Sequence, residues 1–301
     1  KKTKKIWMNG KLIPWEKANI HILTHGLHYG SGVFEGIRCY NTPKGAAVFR
    51  LKEHMKRLHD SAKIYRMEIP YTVEELCTAT KKLIKSNKLK ECYIRPIAYR
   101  GYGGMGLNPT SVPIDTAVAC WSWGTYLGDD GLKNGIKAKI SSYTRINPNT
   151  MPPRAKATGQ YINSILAKLE ALDCGYDEAI LLDGRGLISE GPGENIFVIK
   201  DEVIYTPPLH ASILPGITRD SVLDIAFDLG FDIAMTDIDR GLLYTADEAF
   251  FTGTAAELTP IREVDGVKIG KPGPITKRLQ AAFFCAAKGQ DPEYECWLDY
   301  V

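Results

Sequence analysis

The sequence predicts an α+β protein of two domains, on three observations. Strand-like segments cluster apart from helical ones instead of alternating with them, which argues against a regular βαβ chain. The 301 residues are 44% hydrophobic, enough for one large core or two ordinary ones. A polar stretch, Gly128-Asp129-Asp130-Gly131, interrupts the pattern and is the best domain boundary.

Taken in order, residues 6–50 read as strands and turns, with Asn9-Gly10 as a hairpin signal between two apolar runs. Leu51 to Met67 reads as a helix, since Leu51, Met55, Leu58, Ala62 and Tyr65 recur at spacings of three and four. Thr72 followed by Glu75 is a capping box that opens a second helix. Its lysines, from Lys81 to Lys90, form a solvated face. Tyr93–Ala98 and Thr116–Trp121 read as strands, separated by a segment, Gly101 to Gly106, too rich in glycine for an element interior. Beyond the boundary come a strand at Ile136–Ser142, a Pro- and Asn-rich loop to Pro153, and a helix from Gln160 to Leu172. Strands follow at Ala179–Asp183, Asn195–Ile199 and Val203–Tyr205, then a helix at Thr218–Leu229 stopped by Gly230. A short strand, Glu248–Phe251, runs into Gly253-Thr254.

A formal charge of +3, from 38 basic and 35 acidic residues, gives no reason to invoke nucleic acid or an anionic membrane. No stretch approaches the ~20 apolar residues of a membrane span. The basic start, Lys1 to Lys5, lacks the apolar run of a secretory signal, and a chain that begins without Met is compatible with an upstream segment. Seven scattered cysteines without a CxxC pair point to reduced thiols in a cytoplasmic protein, not to disulfides or a zinc ribbon.

Several segments invite a chemical reading. His21, His25 and His28 have spacings that suggest metal, but Gly26, Gly30 and Gly32 oppose a helix there and no Glu follows as in HExxH. His54, His59 and His210 are isolated. The Gly101–Gly106 segment lacks a P-loop ending and reads instead as a loop facing substrate. Ile217-Thr218 after Pro215-Gly216 opens a helix whose free N–H groups suit a phosphate, and Thr252-Gly253-Thr254-Ala255 repeats the idea. Glu190 and Glu194 sit four apart in a Gly/Pro-rich bend, where a fixed carboxylate can pair with a protonated ring nitrogen. Lys156 has small neighbours and precedes a helix, and nothing local marks it as reactive.

The combination is more informative than its parts. Lys156-Ala157-Thr158-Gly159-x-Tyr161, Ser189-Glu190-Gly191, Leu214-Pro215-Gly216-Ile217-Thr218-Arg219 and Thr252-Gly253-Thr254-Ala255 together resemble the class IV aminotransferases, fold type IV of the pyridoxal-phosphate enzymes. Within them, Phe34-Glu35-Gly36-Ile37-Arg38-Cys39-Tyr40, Arg57-Leu58-His59-Asp60-Ser61-Ala62, Tyr93-Ile94-Arg95-Pro96 and Gly104-Met105-Gly106-Leu107-Asn108-Pro109 resemble the branched-chain amino acid aminotransferases. The resemblance runs from Trp7 to Asp299.

It implies a smaller N-terminal domain (1–127), a linker (128–134) and a larger C-terminal domain (135–301) with a β-barrel-like core that carries the lysine, the cofactor lying at the domain interface. Lys156 matches the lysine that forms an imine with pyridoxal 5′-phosphate and then moves a proton at the substrate Cα. Tyr161 matches the tyrosine on the phenolic oxygen. Glu190 matches the carboxylate on the pyridine nitrogen, with Glu194 supporting it. Arg57, Ile217, Thr218, Gly253 and Thr254 match phosphate contacts. Tyr93, with N–H groups near Thr254 and Ala255, matches the site of the substrate α-carboxylate. Tyr29, Phe34, Leu107, Trp123 and Tyr126 match an apolar pocket wall, and Arg95 the arginine that meets the γ-carboxylate of glutamate. Tyr29 and Leu107 tend in this family to come from a neighbouring subunit, which implies a homodimer or larger homo-oligomer such as a hexamer. The implied reaction exchanges amino groups between leucine, isoleucine or valine and 2-oxoglutarate. Two rivals share the fold, a D-amino acid aminotransferase and a lyase of the aminodeoxychorismate type. Neither is expected to keep the Tyr93–Pro96 and Gly104–Pro109 segments together.

Overall fold

The computed structural model describes residues 2–124 and 126–301. The chain divides into two compact units. The first comprises Lys1–Trp123, Ala155–Gln160 and Cys285–Val301, and the second Gly124–Arg154 and Tyr161–Phe284.

In the first unit, β1 (Lys5–Met8) and β2 (Lys11–Pro14) form a hairpin across Asn9 and Gly10. Both turn residues have positive φ, 45° and 83°, the geometry that Asn-Gly favours. Helix α1 (His25–Tyr29) comes next and ends at Gly30 with φ 62°. The surrounding glycines thus limit this helix to about one turn without preventing it. Next come β3 (Gly32–Phe34), β4 (Ile37–Thr42), β5 (Gly45–Phe49), α2 (Leu51–Ile64) and α3 (Val73–Ser86), then β6 (Cys92–Arg100) and β7 (Ile114–Trp121). The capping box is present: Glu75 N–H donates to Thr72 Oγ1 at 3.2 Å, and Thr72 N–H donates to the Glu75 carboxylate at 2.7 Å. Leu51, Met55 and Leu58 of α2 and Leu76, Leu83 and Ile84 of α3 are fully buried, in one core with Ile37, Ile94 and Val118 of the sheet. This is the burial that period-3.6 patterning requires.

The second unit contains α4 (Gly128–Asn134), β8 (Ile136–Thr144), α5 (Tyr161–Asp173), β9 (Glu178–Leu182), β10 (Ile188–Glu190), β11 (Asn195–Lys200) and β12 (Val203–Thr206). It continues with α6 (Ile217–Asp228), β13 (Ile233–Met235), α7 (Arg240–Tyr244), β14 (Glu248–Gly253), β15 (Glu257–Val264), β16 (Val267–Lys268) and the start of α8 (Pro274–Ala287). The chain then returns to the first unit, where β17 (Leu298–Tyr300) pairs with β5.

The first sheet runs β17-β5-β4-β6-β7-β1-β2 with β3 also on β6, and all its pairings are antiparallel. The second runs β10-β9-β8-β15-β14-β11-β12-β13 with β16 on β15. It is mixed, because β8 lies parallel to both β9 and β15, and β12 parallel to β13. This sheet curls into a half-barrel. Its core holds Ile140, Ile180, Ile196, Val198 and Phe251. Three details of organisation differ from the sequence reading, the first being that Cys285–Val301, read as the end of the C-terminal domain, belong to the first unit. Residues 128–134, read as a linker because they are polar, form helix α4 within the second unit. Ala155–Gln160, with Lys156, packs into the first unit and not into the C-terminal one.

Candidate active site

Lys156 lies on a segment held along the edge strand β3. Phe34 N–H donates to the Lys156 carbonyl at 3.0 Å, and Val33 and Ala157 form an antiparallel bridge. Thr158 Oγ1 donates to the carbonyls of Gly30 and Gly32 at 2.8 and 3.2 Å. From the other side, Lys156 N–H donates to Ser61 Oγ of α2 at 3.0 Å. Ala155 and Ala157 are buried, Lys156 is half-buried, and its Nζ lies 5.2 Å from the centre of the Phe34 ring. The small residues around Lys156 therefore serve close packing, and a backbone pinned on both sides fixes where the amine emerges.

Beneath this segment is a charged network that the motifs did not announce. Glu35, between β3 and β4, is fully buried. Its Oε1 accepts from Arg57 Nε at 2.6 Å, and its Oε2 accepts from Arg57 Nη2 and His54 Nδ1, each at 2.8 Å. Burial alone raises a carboxyl pKa, but here Arg57 and His54 overcome it and hold Glu35 well below the usual carboxylate range. Burial lowers the pKa of His54, against the pull of Glu35, with Arg57 and Lys156 acting in the same direction as burial. His54, unremarkable in the sequence, thus donates to Glu35 as a neutral ring.

A second cluster sits on β6 and the end of β7. Arg95 lies with its guanidinium carbon 4.8 Å from the Phe34 ring and 5.4 Å from that of Tyr93, and Nη2 donates to Tyr93 Oη at 3.3 Å. Tyr93 and Arg95 project on the same side of β6, as the period of two requires. Trp123 meets Tyr93 edge-on at 4.5 Å, and Trp121 adds a tilted contact at 5.3 Å. Gly36 is what admits Tyr93: a Cβ there would collide with Tyr93 Oη. Arg95 Nε is buried with no hydrogen-bond partner among the described residues.

In the second unit the centre is Glu190, at the end of β10. Its Oε1 accepts from Arg145 Nε at 2.7 Å, and its Oε2 accepts from Asn195 Nδ2 at 3.1 Å and Leu214 N–H at 3.0 Å. Asn195 Nδ2 also donates to the Leu214 carbonyl at 3.0 Å, tying the bend to the segment that leads into α6. Gly216 is the N-cap of α6 and offers no side chain to cap it, so the N–H groups of Ile217 and Thr218 precede the first intrahelical bond, Asp220 N–H to the Gly216 carbonyl. Glycine is needed here because a Cβ would collide with Asn195 Oδ1. Asn195 and Thr252 face each other across β11 and β14, and Thr252 Oγ1 is buried without a hydrogen-bond partner among the described residues. Glu194 is buried beside them, its carboxyl pushed up to about 8 by burial and then by Glu178.

Each unit carries features that suit part of a phosphorylated pyridine cofactor: in the second, an uncapped helix start suits a phosphate and a buried carboxylate a ring N–H, and in the first, a pinned lysine suits an aldehyde.

The family model for class IV amino-transferases matches residues 32–264. The branched-chain-amino-acid aminotransferase of Escherichia coli (strain K12) is 49% identical over all of this chain and 98% of its own length. That of Pseudomonas aeruginosa is 50% identical over 98% of this chain and 97% of its own. The chain belongs to the class IV aminotransferases, and among them to the branched-chain amino acid aminotransferases. The crystal structure of the Escherichia coli enzyme matches with a TM-score of 0.97 at 49% identity, covering 99% of both chains. The T.th. branched-chain amino acid aminotransferase with pyridoxamine 5′-phosphate matches at 0.96 and 49%, again over 99% of both. Two further structures of that enzyme hold N-(5′-phosphopyridoxyl)-L-glutamate and 4-methylvaleric acid, each at a TM-score of 0.94 and 48% identity over 99% of both chains.

Within the first unit Phe34 meets both Arg95 and Lys156, and Tyr93 meets Arg95 and Trp123, while Arg57 pairs with Glu35, next to Phe34 in the chain. Within the second, Glu190 and Glu194 share the bend after β10, while Ile217 and Thr218 open α6. Gly253 ends β14, ahead of Thr254 and Ala255, and Tyr161 is the first residue of α5. Tyr126 lies in the second unit, its ring 5.7 Å from Lys168 Nζ. Tyr29 and Leu107 are exposed, at 44% and 89%. Sequence reasoning missed Glu35, His54, Arg145 and Asn195. Glu35 and Asn195 sat inside quoted segments, but the pairings that give them meaning span 22 and 19 residues.

Proposed function

We propose that this protein transfers amino groups reversibly between L-leucine, L-isoleucine or L-valine and 2-oxoglutarate, with pyridoxal 5′-phosphate carried on Lys156. One observation carries the reading. Arg95 lies against the Phe34 and Tyr93 rings, Lys156 Nζ lies against the same Phe34 ring, and Arg95 Nε is buried without a hydrogen-bond partner among the described residues. An aromatic wall and an unspent guanidinium donor in one place suit a pocket that takes an aliphatic chain in one half-reaction and a γ-carboxylate in the other. The glutamate conjugate and the 4-methylvaleric acid complex of the T.th. enzyme support the same reading.

Pyridoxal phosphate, when bound, supplies the electron sink that makes the substrate Cα–H acidic. Lys156 holds the cofactor aldehyde and, once released by substrate, moves the proton at Cα. Glu190 accepts from the ring nitrogen, while Arg145 and Asn195 keep its carboxylate placed. Tyr161 hydrogen-bonds the phenolic oxygen. Arg57, the N–H groups and hydroxyl of Ile217 and Thr218, and the Gly253-Thr254 turn hold the phosphate. Tyr93, with Thr254 and Ala255, holds the substrate α-carboxylate. Glu194, protonated at neutral pH, braces the bend without adding charge next to Glu190.

Ile22, Leu27, Tyr29 and Leu107 are each exposed on the first unit, which suits a second copy of the chain covering them and taking Tyr29 and Leu107 into its own pocket. All seven cysteines are free thiols, which suits the reducing cytoplasm. No helix among the described residues is long and apolar enough to cross a membrane. Incubation with L-leucine and 2-oxoglutarate should yield glutamate. Turnover of D-alanine in place of L-leucine would move the protein to the D-amino acid enzymes.

A further inference from the structure

We propose that Glu35, braced by His54, is a positioning residue that aims Arg57 at the cofactor phosphate, and that this pair makes the protein select the phosphorylated cofactor over unphosphorylated pyridoxal. The inference rests on the reading of Arg57 as a phosphate contact and goes one step behind it.

A guanidinium has five N–H donors in a rigid planar fork. Glu35 takes donors along one side of that fork, Nε at 2.6 Å and Nη2 at 2.8 Å. A two-point clamp of this kind fixes the plane of the group as well as its position. The clamp is itself immobile. Glu35 is fully buried between β3 and β4, and Gly36 N–H adds a longer contact to its Oε2 at 3.3 Å. His54, one turn before Arg57 on α2, donates from Nδ1 to that same Oε2 at 2.8 Å and is itself buried. The ring thus holds Glu35 from the side of α2 while Arg57 is clamped to both of its oxygens. A lone arginine on a helix carries many rotamers, and ordering it on binding an anion weakens that binding. The Glu35 clamp orders it beforehand. Because β3 also accepts the Lys156 segment, through Val33 with Ala157 and Phe34 with Lys156, one strand fixes both the amine and the guanidinium.

The test measures the affinity of the cofactor-free protein for pyridoxal 5′-phosphate and for pyridoxal, by the visible absorbance each acquires on Lys156. Wild type should prefer the phosphorylated form strongly. Glu35→Gln keeps the shape but removes the charge, and it should weaken pyridoxal phosphate by about 10- to 100-fold, the range for losing a charged hydrogen bond, while pyridoxal binding stays within about twofold. An equal loss for both ligands, or no loss, would overturn the proposal. If Glu35→Gln does not fold, Arg57→Lys decides. A lysine keeps the charge but cannot be clamped at two points, so it should lose most of the preference, and full retention of the preference would sink the idea. Failure of the underlying reading looks different: Arg57→Ala would leave pyridoxal phosphate affinity unchanged, or wild type would not distinguish the two ligands.

Discussion

Replacing Arg145 by Met tests the architecture around Glu190. The two side chains are 6% and 5% exposed and meet at 2.7 Å. An ion pair at a charge separation of ~4 Å is worth about 4 kcal/mol at an effective dielectric of ~20. Removing one partner of a buried pair costs about 3–5 kcal/mol, because the other charge is left without compensation. Asn195 and Leu214 still donate to Glu190, which places the expected loss at the lower end, about 3 kcal/mol. The loss is assigned to the orphaned carboxylate, so removing its charge should reverse it. Arg145→Met with Glu190→Gln should recover at least ~2 kcal/mol, as coupled neighbours do. Urea unfolding of wild type, both single variants and the double variant, followed by circular dichroism, measures each quantity. A loss below ~1 kcal/mol for Arg145→Met, or single effects that simply add, would show that Glu190 does not depend on Arg145.

Further outcomes follow from the same contacts. Gly36→Ala should push Tyr93 from its place, raising KM for leucine by about tenfold or more, with the protein still yellow, since the Tyr93 hydroxyl is lost as a hydrogen-bonding partner of the charged α-carboxylate; unchanged steady-state kinetics would remove Tyr93 from the substrate site. Arg95→Ala should slow the glutamate half-reaction by about 100-fold and the leucine one far less, as the loss of a charged contact predicts; equal losses in single-turnover experiments would refute the divided role. Glu194 has a folded pKa of about 8, raised from 4.5 mainly by burial, so its stabilisation is complete below pH 4.5 and is lost as pH rises through 8. Glu194→Gln should remove that dependence, so its urea midpoint should gain on wild type between pH 5 and pH 8, whereas parallel midpoints would contradict the assignment.

Much of the site was legible because its residues sit in local segments with their own signatures. The uncapped start of α6 shows in Pro215-Gly216-Ile217-Thr218, and the capping box shows in Thr72 and Glu75. Glu35, His54 and Arg145 were not legible, for a physical reason. A buried charge declares itself through its partner, and these partners are set by topology. The β3–β4 junction places Glu35 over α2, and the parallel pairing of β8 with β9 brings Arg145, whose N–H donates to the Leu182 carbonyl, toward the strand bearing Glu190. The unit boundaries were obscured in the same way. A polar run resembled a linker but folds as α4, and the lysine segment follows a loop back to the first sheet, where hydrogen bonds to Phe34 and Ser61 hold it. After Gly253 the Asp265-Gly266 turn between β15 and β16, with φ of 50° and 82°, went unread, and β15 itself, interrupted by Pro260, shows in its pairing with β14 and β8.

The central claim is that Lys156 carries the cofactor. Borohydride reduction of the yellow protein, followed by digestion and mass spectrometry, should place a phosphopyridoxyl group on the peptide containing Lys156, and Lys156→Ala should take up no label. A label on another lysine, or a colourless wild type that gives none after incubation with pyridoxal phosphate, would contradict the account.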